Sequence, residues 1–203
     1  MLLGFVMLGD QYGSFDLGAI KIGAAAVPVS NVAVGLILVG MLSKSATLPL
    51  HTWLPDAGVA PSPVTALLHA AVLVKIGVYV FARLFVVTIP LEAFWHTAVP
   101  VIAGLSALVA GGAALVDTDL KRIIAFSTIS QIGFIFLGLS VGTEIGIAGA
   151  LLFILMHGIA KAGLFLCAGI VEQNTGMKDI TKLGGLAATM PMTAAAFAMC
   201  AFS

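Results

Sequence analysis

Long apolar runs separated by short polar links organise this chain. The first run ends at Asp10, and a polar, glycine-containing link at 11–16 leads into a weakly apolar stretch that closes at Pro28. A run of spanning character begins near Asn31 and reaches Leu50, with Lys44 inside it and Pro49 interrupting it. Pro55, Pro61 and Pro63 crowd the next stretch, 51–63, which predicts a structured turn and not a continuous helix. Pro63 suits the first turn of the following helix, which is expected to run to about Val87 with Lys75 near its middle. Residues 97–116 read as an uncharged span, 117–122 as a charged loop and 123–141 as a further span. The run 144–171 spans again and carries His157 and Lys161; a polar link at 172–185 then precedes a last apolar run. At about 20 apolar residues per bilayer crossing, the pattern predicts five complete or nearly complete spans and two partial ones. The opening run is too short to cross, and the closing run lacks a polar flank. The chain is therefore expected to be an internal segment of a longer protein.

Composition turns these runs into a class. Of 203 residues 61% are hydrophobic and 9% charged, against about 25% charged in soluble domains. The expected protein is all-α, integral to a membrane and multi-pass, with the lipid bilayer as its solvent. A formal net charge of zero leaves no basic field for nucleic acid. Cys167 and Cys200 lie in apolar runs without CxxC or ligand spacing, and are expected to pack. His51, His69 and His157 fall on three different segments, so no metal site is expected. Phosphate loops, haem-attachment motifs and iron–sulfur cysteine sets are absent from the sequence, and no cofactor is expected. No basic stretch precedes the first apolar run, as a secretory signal would require.

Candidate chemistry lies where charge interrupts the apolar runs. Lys44, Lys75 and Lys161 each sit inside one, and an ionised side chain at a helix centre costs roughly 2.5–3.5 kcal/mol on insertion scales. Intramembrane ionisable residues mark ion or proton paths by default. His157 and Lys161 stand four residues apart, on one helix face about a turn from each other. Ser127, Ser130 and Gln131 share a stripe on the preceding span; they either carry water or cross-link helices. Lys44 precedes Pro49 by about a turn, where an interrupted helix frees backbone carbonyls; the alternative for Lys44 is snorkelling to the interface. Lys75, near its helix centre, fits snorkelling less well. His69 suits a relay or a packing role equally. Burial disfavours the charged form of a lysine and a nearby carboxylate favours it, so moving such a partner would switch the amine between holding and releasing a proton. Asp56, Asp117, Asp119 and Glu144 all lie at links or helix ends, so that partner is expected beyond this stretch or on another subunit. Lys121, Arg122, Lys178 and Lys182 group on one side with the 51–63 turn, against Lys21 and Arg83 on the other, which places the 117–122 loop in the cytoplasm.

One family carries the same motifs. The run from Lys44 through HTWLPDA (51–57) and AP-S-P (60–63) to Lys75, with Asp119-Leu-Lys-Arg-Ile-Ile-Ala-Phe-Ser-Thr-Ile-Ser-Gln-Ile-Gly133, His157-Gly-Ile-Ala-Lys161-Ala-Gly-Leu-Phe165 and Lys182-Leu-Gly-Gly-Leu186, resembles the antiporter-like proton-conducting membrane subunits. These are shared by respiratory complex I, Mrp cation/proton antiporters and membrane-bound hydrogenases. The resemblance implies a bundle of about fourteen helices built from two inverted five-helix repeats, each with an interrupted helix. It assigns 1–87 to the end of the first repeat and 96–203 to part of the second. It implies proton transfer by Lys44, Lys75, His157 and Lys161, with His69, Ser127, Ser130 and Gln131 as further relay candidates. The glutamate partnering Lys44 would precede Met1, and the ionisable residue of the second interrupted helix would follow Ser203. Other membrane subunits would be the partners, protons the cargo with sodium a further candidate, and a prokaryotic cell membrane the location. The implied function is proton translocation in a redox-driven pump of NADH-quinone oxidoreductase or membrane-bound hydrogenase type; the alternative is a Mrp-type sodium/proton antiporter subunit. Lys75 together with His69 looks most like the Mrp large subunits and hydrogenase-associated relatives.

Overall fold

The computed structural model describes residues 1–202. Helices α1 (Leu2–Tyr12), α2 (Leu17–Ala26) and α3 (Asn31–Lys44) come first, followed by the short α4 (Trp53–Asp56) and a 3-10 turn at Ala57–Val59. Then come α5 (Ser62–Ala66), α6 (Leu73–Phe81), α7 (Ala93–Val116), α8 (Leu120–Ser140) and α9 (Glu144–Thr175). A 3-10 turn at Ile180–Lys182 leads to α10 (Leu186–Thr189) and α11 (Pro191–Phe202). Among the described residues no strand forms; an isolated bridge joins Asp119 to Asp179.

Among the described residues four helices are long and apolar enough to cross a bilayer: the continuous rod Ser62–Val86, then α7, α8 and α9. The rod joins α5 to α6 through a π-helical segment, Leu67–Ala71, and ends in another, Ala82–Val86. Pro63 lies in its first turn, where the missing N–H has no intrahelical partner to lose. Local chemistry starts the other spans. Asp119 caps α8 by accepting from the Lys121 and Arg122 amides, so these cations already belong to the helix and not to a loop. Thr143 caps α9 through the Gly146 amide.

The expected fifth span is shorter than the hydropathy pattern suggests. Helix α3 stops at Lys44, five residues before Pro49. Its 14 residues rise about 21 Å, short of the roughly 30 Å hydrocarbon layer. Ala46 takes a positive φ of 52°, and the chain turns so that the Leu48 amide donates to Ser106 Oγ at 3.2 Å. Ser106 lies midway along α7, so the interruption falls at mid-depth. Helix α2 does not cross: Tyr12 OH donates to the Val27 carbonyl and Gln11 Nε2 to that of Pro28, holding the link after α2 beside the end of α1.

Polar links gather at the two ends of the bundle. At one end the Leu120 amide bonds the Lys178 carbonyl and the Ile180 amide that of Thr118, each at 2.9 Å. Arg122 pairs with Asp117 and with Asp56 of the HTWLPDA turn, and Glu172 pairs with Lys121 and Lys178. The 51–63 turn, the 117–119 loop with the first turn of α8, and the 172–185 link thus meet, as the grouping of basic residues anticipates. At the other end Asn31 donates to Glu92 and accepts from the Trp95 indole. Between the ends, buried aliphatic and aromatic side chains such as Ile37, Phe81, Ile132 and Phe136 form the main core, and Ala125, Leu164 and Phe165 a smaller one.

Candidate functional site

Three ionisable side chains, one half-buried and two buried, come together at mid-depth on α6 and α9, next to Ser127 of α8. Lys75, on α6, is half-buried and reaches across to α9, where its Nζ donates to the Ile154 carbonyl at 3.0 Å. One turn further along α9 lies His157, 1% exposed. Neither of its ring nitrogens has a hydrogen-bond partner. Lys161 follows after another turn, 3% exposed, and its Nζ donates to Ser127 Oγ of α8 at 2.7 Å. Ser127 in turn donates to the Ile124 carbonyl at 2.8 Å. Among the described residues the carboxylate ion pairs all lie at the end of the bundle, on Lys121, Arg122, Lys178 and Lys182, and none involves Lys75 or Lys161.

This arrangement is suited to chemistry: His157 lies buried on α9, one turn after the Ile154 carbonyl that holds Lys75 and one turn before Lys161. An imidazole so placed has both nitrogens free to take up or give up a proton. Lys75, His157 and Lys161 form a row of exchangeable groups parallel to the α9 axis, with the Ser127 hydroxyl at its far end.

His69 occupies a second position in the core, inside the π-helical segment, with 0% exposure. Its Nδ1 lies 2.9 Å from the Thr65 carbonyl and its Nε2 3.0 Å from the Leu54 carbonyl. Both neighbours are acceptors. Neutral imidazole has one N–H and can serve one of them, whereas imidazolium serves both. The Phe165 ring packs against it at 4.5 Å between centroids. π-Helical turns recur at functional positions, and this one turns the His69 ring toward the HTWLPDA segment and not toward Lys75.

The remaining candidates separate. Lys44 ends α3 with its side chain exposed and lines an open cleft of about 290 Å³ with Gly40, Ser43, Trp53 and Leu73. Its helix end is nevertheless tied to the Lys75 helix. Ser45 Oγ donates to the Val74 carbonyl at 2.9 Å, and Gly77 permits the approach, since a Cβ there would meet the Ser45 hydroxyl and, at 2.7 Å, the Met41 carbonyl. Ser130 faces away from the lysines and donates to the Ala107 carbonyl of α7 at 2.7 Å; of the two uses open to the serine stripe it serves the cross-link. Gln131 is half-buried. Nothing in the residue pattern marks Ser45 and Ser106, whose hydroxyls lie inside apolar runs and acquire partners only when the helices pack.

A transmembrane family described as NADH:quinone oxidoreductase/Mrp antiporter matches the chain over residues 1–203. The chain belongs to this family. Among curated relatives, a component of the probable K(+)/H(+) antiporter of Rhizobium meliloti is 40% identical, the match covering 96% of the chain and 20% of that protein. The F(420)H(2) dehydrogenase subunit L of Methanosarcina mazei is 41% identical over 98% of the chain and 30% of its own length. The NADH-quinone oxidoreductase subunit L of Buchnera aphidicola is 39% identical over 94% and 31%. The chain thus spans a fifth to a third of the length of these relatives. Among solved structures, the Mrp complex of Dietzia sp. superposes with a TM-score of 0.91 at 29% identity, covering 99% of this chain and 38% of that one. The membrane-bound sulfane sulfur reductase, an archaeal respiratory membrane complex, gives 0.92 at 29%, covering 100% and 42%. This member of the NADH:quinone oxidoreductase/Mrp antiporter family is accordingly an antiporter-like, multi-pass helix bundle.

Proposed function

We propose that this chain moves protons laterally through the middle of the membrane, as part of an antiporter-like subunit of a redox-driven pump of NADH-quinone oxidoreductase or membrane-bound hydrogenase type. The observation that carries the proposal is the row Lys75–His157–Lys161 at mid-depth: Lys75 bonded to the Ile154 carbonyl, the buried imidazole one turn further along α9, and Lys161 on Ser127 one turn beyond it. Residues 1–87 and 96–203 belong to successive repeats, and the Lys75 contact with α9 hands the proton from one to the other. Lys44 exchanges with Lys75 across the α3–α6 junction, His69 offers a side branch toward the HTWLPDA turn, and the 117–122 loop faces the cytoplasm. The subunit has no redox centre of its own; neighbouring membrane subunits drive it by moving a carboxylate near Lys44.

Replacing Lys75 with Ala in the full-length parent protein, reconstituted in sealed vesicles with its complex, tests this. Proton uptake should fall strongly while assembly persists; uptake at the parental rate would overturn the proposal.

A second reading, a Mrp-type sodium/proton antiporter subunit, draws support from the Mrp complex structure of Dietzia sp.. Gene neighbours discriminate. Hydrogenase or quinone-reductase subunits beside this gene favour the redox machine, and small membrane subunits alone favour the antiporter, in which sodium joins protons as cargo.

A further inference from the structure

The Lys75 ammonium leaves its own helix and seats itself on the backbone of another. It does so at Gly158, in the interior of the 32-residue helix α9. Glycine is common in membrane-spanning helices; what marks this one is its surroundings. A Cβ built on Gly158 would lie 2.5 Å from Lys75 Nζ. The next neighbours are the Ala70 carbonyl at 3.5 Å and Lys75 Cε at 4.0 Å, both ordinary contacts. Of the three nearest atoms only the lysine nitrogen is too close, and as the tip of a flexible side chain it would give way to an alanine by moving. Gly158 follows His157 directly and precedes Lys161 by three residues, so the opening it leaves sits on the turn that carries the rest of the proton row.

We propose that Gly158 is the positioning residue that seats Lys75: its missing side chain leaves the space through which the ammonium reaches the Ile154 carbonyl and stands beside His157. It touches no proton on the path itself. This deepens the proton-transfer proposal and rests on it. A methyl group at 158 pushes the ammonium off α9 and lengthens the gap to the imidazole, while the fold and the other two members of the row stay in place.

The test is a double-mutant cycle in the full-length parent complex in sealed vesicles: Gly158→Ala, Lys75→Ala and the pair, each assayed for assembly, proton uptake and its pH profile. Gly158→Ala should assemble normally, displace the pH profile and slow uptake on the order of ten- to a hundredfold, the scale of an ångström-sized misplacement. In the Lys75→Ala background it should change nothing further. Parental uptake and pH profile in Gly158→Ala, or an equal added loss in the Lys75→Ala background, would overturn the assignment. Should Gly158→Ala fail to assemble, the double variant decides. Recovery of assembly supports a clash with the lysine alone, and continued failure refutes it. Parental uptake in Lys75→Ala by itself would instead sink the proton-transfer proposal.

Discussion

The charged clasp at the end of the bundle allows a prediction that separates a buried charge from an exposed one sharing the same partner. Glu172, near the end of α9, holds Lys121 of α8 at 2.7 Å and Lys178 of the following link at 3.1 Å. The Lys121 side chain is 6% exposed, that of Lys178 43% and the carboxylate 28%. Glu172→Ala leaves the Lys121 ammonium in place, buried and without its counter-ion. Breaking a fully buried pair in this way costs about 3–5 kcal/mol. Glu172 keeps some solvent, which lowers the expected loss to about 2–3 kcal/mol. Lys178→Ala removes an exposed partner and should cost about 0–1 kcal/mol. Lys121→Met takes away the buried charge itself and fills its volume with an apolar chain; the Glu172 carboxylate it leaves behind is 28% exposed and keeps Lys178, so the loss should stay at about 1 kcal/mol or less, in the range of ~0–1 kcal/mol for exposed pairs. The assay is detergent-titrated unfolding of the full-length parent protein, followed by helical circular dichroism. The expected order is Glu172→Ala well below the rest, with the other two near the parent. If Lys178→Ala proves as damaging as Glu172→Ala, or Lys121→Met does, the burial argument is wrong.

Two further outcomes test the site and its margin. Ser127→Ala removes the hydroxyl that receives the Lys161 ammonium and should slow proton uptake several-fold with assembly intact. Ser130→Ala removes only a cross-link to α7, costing about 0.5–1.5 kcal/mol of stability and leaving uptake unchanged; reversed effects would show that the two serines have been assigned the wrong way round. Asp117 lies in the loop between α7 and α8. Burial pushes its carboxyl up, but the Asp119 amide at 2.9 Å and the Arg122 guanidinium at 3.0 Å outweigh this and hold it below the usual carboxylate range. A lowered folded value means that its contribution to the loop is complete above the ordinary aspartate value of about 3.9 and is lost as pH falls through the lower folded value. Protection of the 117–122 amides, taken relative to their intrinsic exchange rates, should therefore fall in strong acid, and Asp117→Asn should remove that step; an unchanged acid response in the variant would refute the role given to this carboxylate.

Apolar run length, proline position and the spacing of the ionisable residues were enough to define the class, the long helices, the turn around the HTWLPDA segment and the shared face of His157 and Lys161. These are local properties: a bilayer requires apolar length, a proline ends or starts a helix, and a four-residue interval fixes a face. Hydropathy could not show that α3 stops at Lys44, because Ser45 to Leu48 are mostly small or apolar and their turn depends on partners on α6 and α7. Nor could it separate Ser127 from Ser130, which differ only in which helix each one meets. The assembly of Lys75, His157 and Lys161 into one row was likewise out of reach. Lys75 lies 79 residues from the carbonyl it bonds, and that bond forms only when the two helices pack together. Along the chain, the order of residues decides where helices form and which faces carry charge; which of those faces meet is decided by the space between packed helices.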